Sequence, residues 1–91
     1  MFNKLKQFKD LRDKAKTVQN ALAQEKVSEE KNGVKISLNG NLELIELSLN
    51  ENLSKAAQEE ALKSCFNEGV KKAQKLMAKK IQDMGGLPGL G

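Results

Sequence analysis

The chain has 91 residues, with 16 basic and 12 acidic side chains, a net charge of +4, one cysteine and no histidine. That length makes one domain, and the inventory removes internal disulfides, the usual zinc ligand sets and histidine-based catalytic dyads or triads. A lone thiol fits a reducing cytosol, no stretch approaches the roughly 20 apolar residues of a membrane span, and no apolar segment of a secretory signal follows the basic N-terminus.

Residues 3–25 predict a first helix, free of proline and glycine. Phe8, Leu11, Ala15, Val18 and Leu22 are spaced 3, 4, 3, 4, an a/d seam over two heptads. At 100° per residue the seam fills an arc of about 80°, too narrow for burial along the whole helix. Lys9, Arg12 and Lys16 fall together outside that arc, with Lys6 beside them. A helix this long reaches roughly 35 Å and is expected to project or to pair with another helix.

Val27 to Lys31 predicts a weak strand, and Asn32-Gly33 supplies the positive φ of a tight hairpin. Val34, Ile36 and Leu38 then share one face of a second strand. Asn39-Gly40 marks another hairpin, and a third strand runs from about Leu42 to Leu49. Its alternation changes phase between Leu44 and Ile45, which implies a β-bulge or a face switch, the alternative being that Leu42 belongs to the turn. No aromatic residue falls in a strand: Phe2, Phe8 and Phe66 all fall in the helical flanks.

Asn50 to Leu53 connects to a second long helix over residues 55–84, with Ser54 as N-cap. Glu59 and Glu60 sit toward its positive end. Leu62, Cys65, Phe66, Val70, Ala73, Leu76, Met77, Ile81 and Met84 cover an arc of about 160°, wide enough to pack on the sheet and still meet a partner chain. Cys65, on this face, reads as a small buried hydrophobe and not a reactive thiol. Gly69, in mid-helix, costs about 1 kcal/mol relative to alanine, which close approach of a neighbour would explain. Residues 85–91, Gly-Gly-Leu-Pro-Gly-Leu-Gly, are expected to end the helix and form a mobile tail after a domain of residues 1–84.

Charge follows this organisation. Residues 1–26 hold seven basic and three acidic side chains, 27–50 two and four, and 51–91 seven and five. Lys71, Lys72, Lys75, Lys79 and Lys80 fall within ten residues that contain no acid. Such asymmetry implies a polyanionic partner, either nucleic acid or an anionic membrane. The absence of strand aromatics argues against base stacking on the sheet, leaving duplex DNA as the favoured nucleic acid. Few Arg, Asn or Gln residues lie on the basic faces, so backbone contacts should dominate over base readout. Neither Asn-Gly pair fits a phosphate-binding glycine pattern, and Glu43 and Glu46 do not form an acid–base pair.

The first helix, Gly33-Val34-Lys35-Ile36-Ser37-Leu38-Asn39-Gly40, Ile45-Glu46-Leu47, Cys65-Phe66-Asn67-Glu68-Gly69 and Leu87-Pro88-Gly89-Leu90 together resemble, in order and spacing, the YbaB/EbfC family of small bacterial nucleoid-associated proteins. The resemblance covers nearly the whole chain. It implies an α+β fold, with an α-β-β-β-α protomer, a small antiparallel sheet between two long helices, and a tweezer-like homodimer. It also implies DNA binding through the helical arms. The matching basic residues here are Lys4, Lys6, Lys9, Arg12 and Lys16, with Lys71, Lys72, Lys75, Lys79 and Lys80. Gly69 stands where the family usually has alanine, and the first helix is poorer in Gln and Met.

The expectation is therefore a non-enzymatic, homodimeric protein of the cytoplasm and nucleoid. It would bind double-stranded DNA through phosphates, with no cofactor, metal, small-molecule substrate or membrane partner. The alternative is a helical protein-interaction adaptor without direct nucleic-acid binding.

Overall fold

The computed structural model describes residues 4–85. The elements are α1 (Lys4–Ala23), β1 (Lys26–Lys31), β2 (Val34–Asn39), β3 (Leu44–Ser48) and α2 (Lys55–Asp83), an α-β-β-β-α order that matches the expected one. Residues 1–3, and the expected tail from residue 86 onward, lie outside the described residues.

The sheet is an antiparallel meander in the order β1-β2-β3. Asn32 and Gly33 turn between β1 and β2 with φ of 52° and 85°, the paired positive values that a two-residue hairpin of this hand requires. The second turn works differently. Here the positive φ belongs to Leu42, at 66°, and not to Gly40. Glycine is needed at position 40 for space, because a β-carbon there would lie 2.7 Å from the carbonyl oxygen of Leu22. The Gly40 N–H donates to that same oxygen at 2.9 Å, and Asn41 Nδ2 donates to the Gln19 carbonyl at 3.0 Å. The loop thereby docks on the last turns of α1, as a second donor to the Leu22 carbonyl, which also accepts from the Glu25 N–H at 3.1 Å. Asn39 holds the loop's shape: its Oδ1 accepts from the N–H groups of Asn41 and Glu43, and its Nδ2 donates to Glu43 Oε1.

The phase change in β3 is a bulge. Ser37 pairs with Glu46 and Leu38 with Leu44, so Ile45 is the extra residue. Ile36 pairs with Leu47, which puts Leu44 and Leu47 on the same face of the sheet as Leu38 and Ile36.

That face receives α2. Ser54 caps the helix, its Oγ accepting from the Ala57 N–H at 3.1 Å. Glu59 and Glu60 fall beyond the first turn, which holds no acid, so their help from the macrodipole is weak. The buried residues of α2 are Ala61, Cys65, Gly69 and Ala73, one at every fourth position and all small. Small residues let the helix axis approach the sheet: a β-carbon on Gly69 would stand 3.1 Å from Leu38 Cδ1 and 3.3 Å from Ile36 Cδ1. The close neighbour expected at Gly69 is thus the sheet of the same chain. Ile36, Leu38 and Cys65 form the core, with Val27, Leu62 and Val70 around them. The Cys65 Sγ lies 3.5 Å from the Val34 carbonyl oxygen, and burial pushes its thiol pKa up, as suits a packing residue.

Among the described residues, those of α1 that are buried, Val18 and Leu22, lie in its C-terminal half. Lys80 of α2 pairs with Glu25 at 3.0 Å, and Lys14 Nζ donates to the Met84 carbonyl at 2.9 Å. A cation there also complements the negative end of α2. Beyond Lys14 the helix runs on as an arm, with Leu5 85% and Phe8 68% exposed. The molecule is 66 Å long and 18 Å across.

Candidate nucleic-acid interface

The five lysines of α2 fall into two groups. Lys72 forms an ion pair with Glu29 of β1, and Lys80 with Glu25 beyond the end of α1. Lys71 stands 3.4 Å from Glu68, one turn earlier on its own helix. Lys75 and Lys79 are exposed and have no ion pair among the described residues. The run that is free of acids in sequence is therefore met by acids in space, two of them from other elements. Hydrogen bonding to Glu29, then the charge of that carboxylate, raises the pKa of Lys72 above the ordinary lysine value.

On α1, Lys9, Arg12 and Lys16 are exposed and without ion pairs among the described residues. Asp10 and Asp13 lie close in sequence but pair with none of them. Lys6 is exposed and engaged in an interaction of its own. The side chain of Lys4 is outside those described. Lys14, which sequence reasoning did not single out, has the structural task of joining the two helices. Its long-range partner, a backbone carbonyl 70 residues away, leaves no signal in the local pattern.

A second exposed feature is apolar. Leu44, Ile45, Leu47, Leu49 and Phe66 are each about half exposed. Leu44, Leu47, Leu62 and Phe66 line a cleft beside Ile36, with Glu59 and Lys63 at its rim. Strand β3 bounds this cleft and is also an edge of the sheet, pairing only with β2. The other sheet face is polar: Ser28 and Ser37 hydroxyls hydrogen-bond at 2.8 Å, and Lys26 reaches across to Glu46.

Among the described residues no group of three or more His, Cys, Asp or Glu could hold a metal, and no helix is long and apolar enough to cross a membrane. The molecule is a small α+β protein whose exposed chemistry consists of lysine-bearing helices on a three-stranded sheet. The chain belongs to the YbaB/EbfC DNA-binding family, whose model matches residues 1–87. This is a family of DNA-binding proteins and not of enzymes. A crystal structure of uncharacterized protein HP0035 from Helicobacter pylori is similar, with a TM-score of 0.76 over 94% of this chain and 98% of that one. At 23% sequence identity the likeness is one of fold. No curated protein matches the chain.

Proposed function

We propose that this protein binds duplex DNA as a homodimer, mainly through backbone phosphates, and contributes to nucleoid organisation or gene regulation. The observation that carries the reading is the set of exposed, unpaired cations Lys9, Arg12, Lys16, Lys75 and Lys79, displayed on two helices in a member of a DNA-binding family. Helical lysines neutralise phosphates and release counterions whatever the base sequence. The set holds one guanidinium, Arg12, and no side-chain amide, too little for base readout along a groove to lead.

Dimerisation is supported by the apolar rim of β3 with Phe66. A small domain leaves few such residues exposed without a partner, and an open strand edge offers backbone groups for pairing. A two-fold axis there would bring together two copies of the body and hold two sets of arms in fixed relation.

A mobility-shift titration on duplexes of unrelated sequence tests the reading. Comparable shifts are expected on each, with log K falling linearly in log salt at a slope of about −0.9 per phosphate contacted. Binding indifferent to salt between about 50 and 200 mM would sink the phosphate mechanism.

A further inference from the structure

The basic residues of the two helices do not converge on one surface. The side of α1 that meets the rest of the chain is marked by Lys14, which reaches Met84, and by buried Val18 and Leu22. At 100° per residue, Lys9, Arg12 and Lys16 are centred about 150° around the helix from the middle of that side. The side of α2 turned toward the end of α1 is marked by Lys80, paired with Glu25, whose N–H bonds the Leu22 carbonyl of α1. Lys71 and Lys75 lie about 180° and 140° from Lys80. Each stripe therefore points away from the other helix, one on either side of the two-helix layer.

At Lys16 the two paired helices with their side chains make a layer roughly 20 Å thick, and Lys9 and Arg12 continue the same stripe along the arm. A duplex lying against Lys9, Arg12 and Lys16 leaves Lys71 and Lys75 aimed at solvent on the far side. Phosphate contacts act at hydrogen-bond range, and exposed charges beyond about 8–10 Å are largely screened. A straight duplex cannot use both stripes of one protomer.

We infer that each protomer carries two back-to-back phosphate-binding faces and holds two separate duplex segments, so that the protein is a DNA bridge. This rests on the DNA-binding reading above and specifies its geometry. The α1 face comprises Lys9, Arg12 and Lys16. The α2 face comprises Lys71 and Lys75, with Lys79 at its margin.

The test is a two-duplex capture assay beside a single-duplex mobility shift. One biotinylated duplex is fixed on beads, a fluorescent duplex of unrelated sequence is added with the full-length protein, and recovered fluorescence is read. The unaltered protein is expected to recover the second duplex. K9E/R12E/K16E and, separately, K71E/K75E are expected to keep a weakened mobility shift, with the salt slope reduced by about 2–3 and about 2 respectively. Both are expected to lower second-duplex recovery by at least tenfold. Their glutamine counterparts, K9Q/R12Q/K16Q and K71Q/K75Q, keep good helix formers at these exposed positions. They should act in the same direction and stand in if charge reversal impairs folding. A normal shift by the unaltered protein with no second-duplex recovery overturns the inference alone. So does undiminished recovery in either single-face variant, which would mean that the remaining face, repeated by symmetry, suffices for bridging. The absence of any shift by the unaltered protein overturns the DNA-binding reading and the inference together.

Discussion

Lys72 of α2 is ion-paired with Glu29 of β1 across the layer between helix and sheet, the lysine side chain 57% exposed and the glutamate 18%. The more buried partner is the acid, which needs the lysine to compensate its loss of hydration. The pair thus ties the middle of α2 to the first strand and takes one cation out of the helix's free charge. The raised Lys72 pKa fixes the sign of its linkage. Its stabilising contribution is fully present below the unfolded-state lysine pKa and is lost as pH rises through the higher folded value. The lysine's exposure keeps that contribution small.

Removing the acid should release the cation. Glu29→Gln is expected to tighten duplex binding and to steepen the salt slope by about one phosphate's worth. Lys72→Gln in the unaltered background should change the slope less than Lys75→Gln does. Equal effects from the two lysine variants would show that Glu29 does not hold Lys72 in solution.

Glu46 provides a check on the polar face of the sheet. A hydrogen bond from Lys26, then the charge of that lysine, lowers its pKa below the ordinary glutamate value. Its contribution to stability is present above the unfolded-state pKa and lost as pH falls through the depressed folded value. A side-chain carboxyl titration by NMR should place the Glu46 midpoint below the ordinary glutamate value. Lys26→Ala should bring it back up.

At Gly69 two effects oppose one another. Alanine gains about 1 kcal/mol of helix propensity, but its β-carbon presses on Leu38 and Ile36 at 3.1 and 3.3 Å. Gly69→Ala is expected to change stability by less than about 1 kcal/mol in either direction. Gly69→Val adds bulk where α2 meets the sheet and should cost about 1–3 kcal/mol. Urea denaturation of the two variants under conditions where the oligomer is constant would separate these outcomes. A valine variant as stable as the parent would contradict the close packing.

Charge placed on the β3 rim should separate the proposed dimer. Leu47→Asp is expected to sediment at the single-chain mass of 10.0 kDa, while the parent sediments at twice that mass. Leu5→Asp, on the projecting arm, should leave the parent's mass unchanged. A dimer that tolerated Leu47→Asp would move the interface elsewhere.

The elements were legible in the sequence because each had a local cause. Val34, Ile36 and Leu38 alternate, Asn32-Gly33 supplies two positive φ values, Ser54 caps α2, and the broken alternation at Ile45 announced the bulge. What escaped was tertiary. Residues 71–80 contain no acid, yet Glu25 and Glu29 reach that helix from other parts of the chain. Spacing along a helix reports which side chains share a face and says nothing of what another element brings to it. Gly40 was legible as a turn residue but not in its cause, which is the Leu22 carbonyl above it. The site is legible to the same degree: the basic residues could be named, but which of them remain unpaired depends on the packing.

The contact of Gly40 with Leu22 has a mechanical consequence. It is the point where the sheet sets the direction of α1, and roughly 27 Å of helix extends from it to Lys4. Lys14 and Val18 steady the first part of that length, and roughly 15 Å from Lys14 to Lys4 runs on as a lever. A tilt of only about 10° of that part carries its far end by about 2.6 Å, close to the length of a hydrogen bond to a phosphate oxygen. Small changes in one turn of the sheet are thereby magnified into the spacing of charges along the arm.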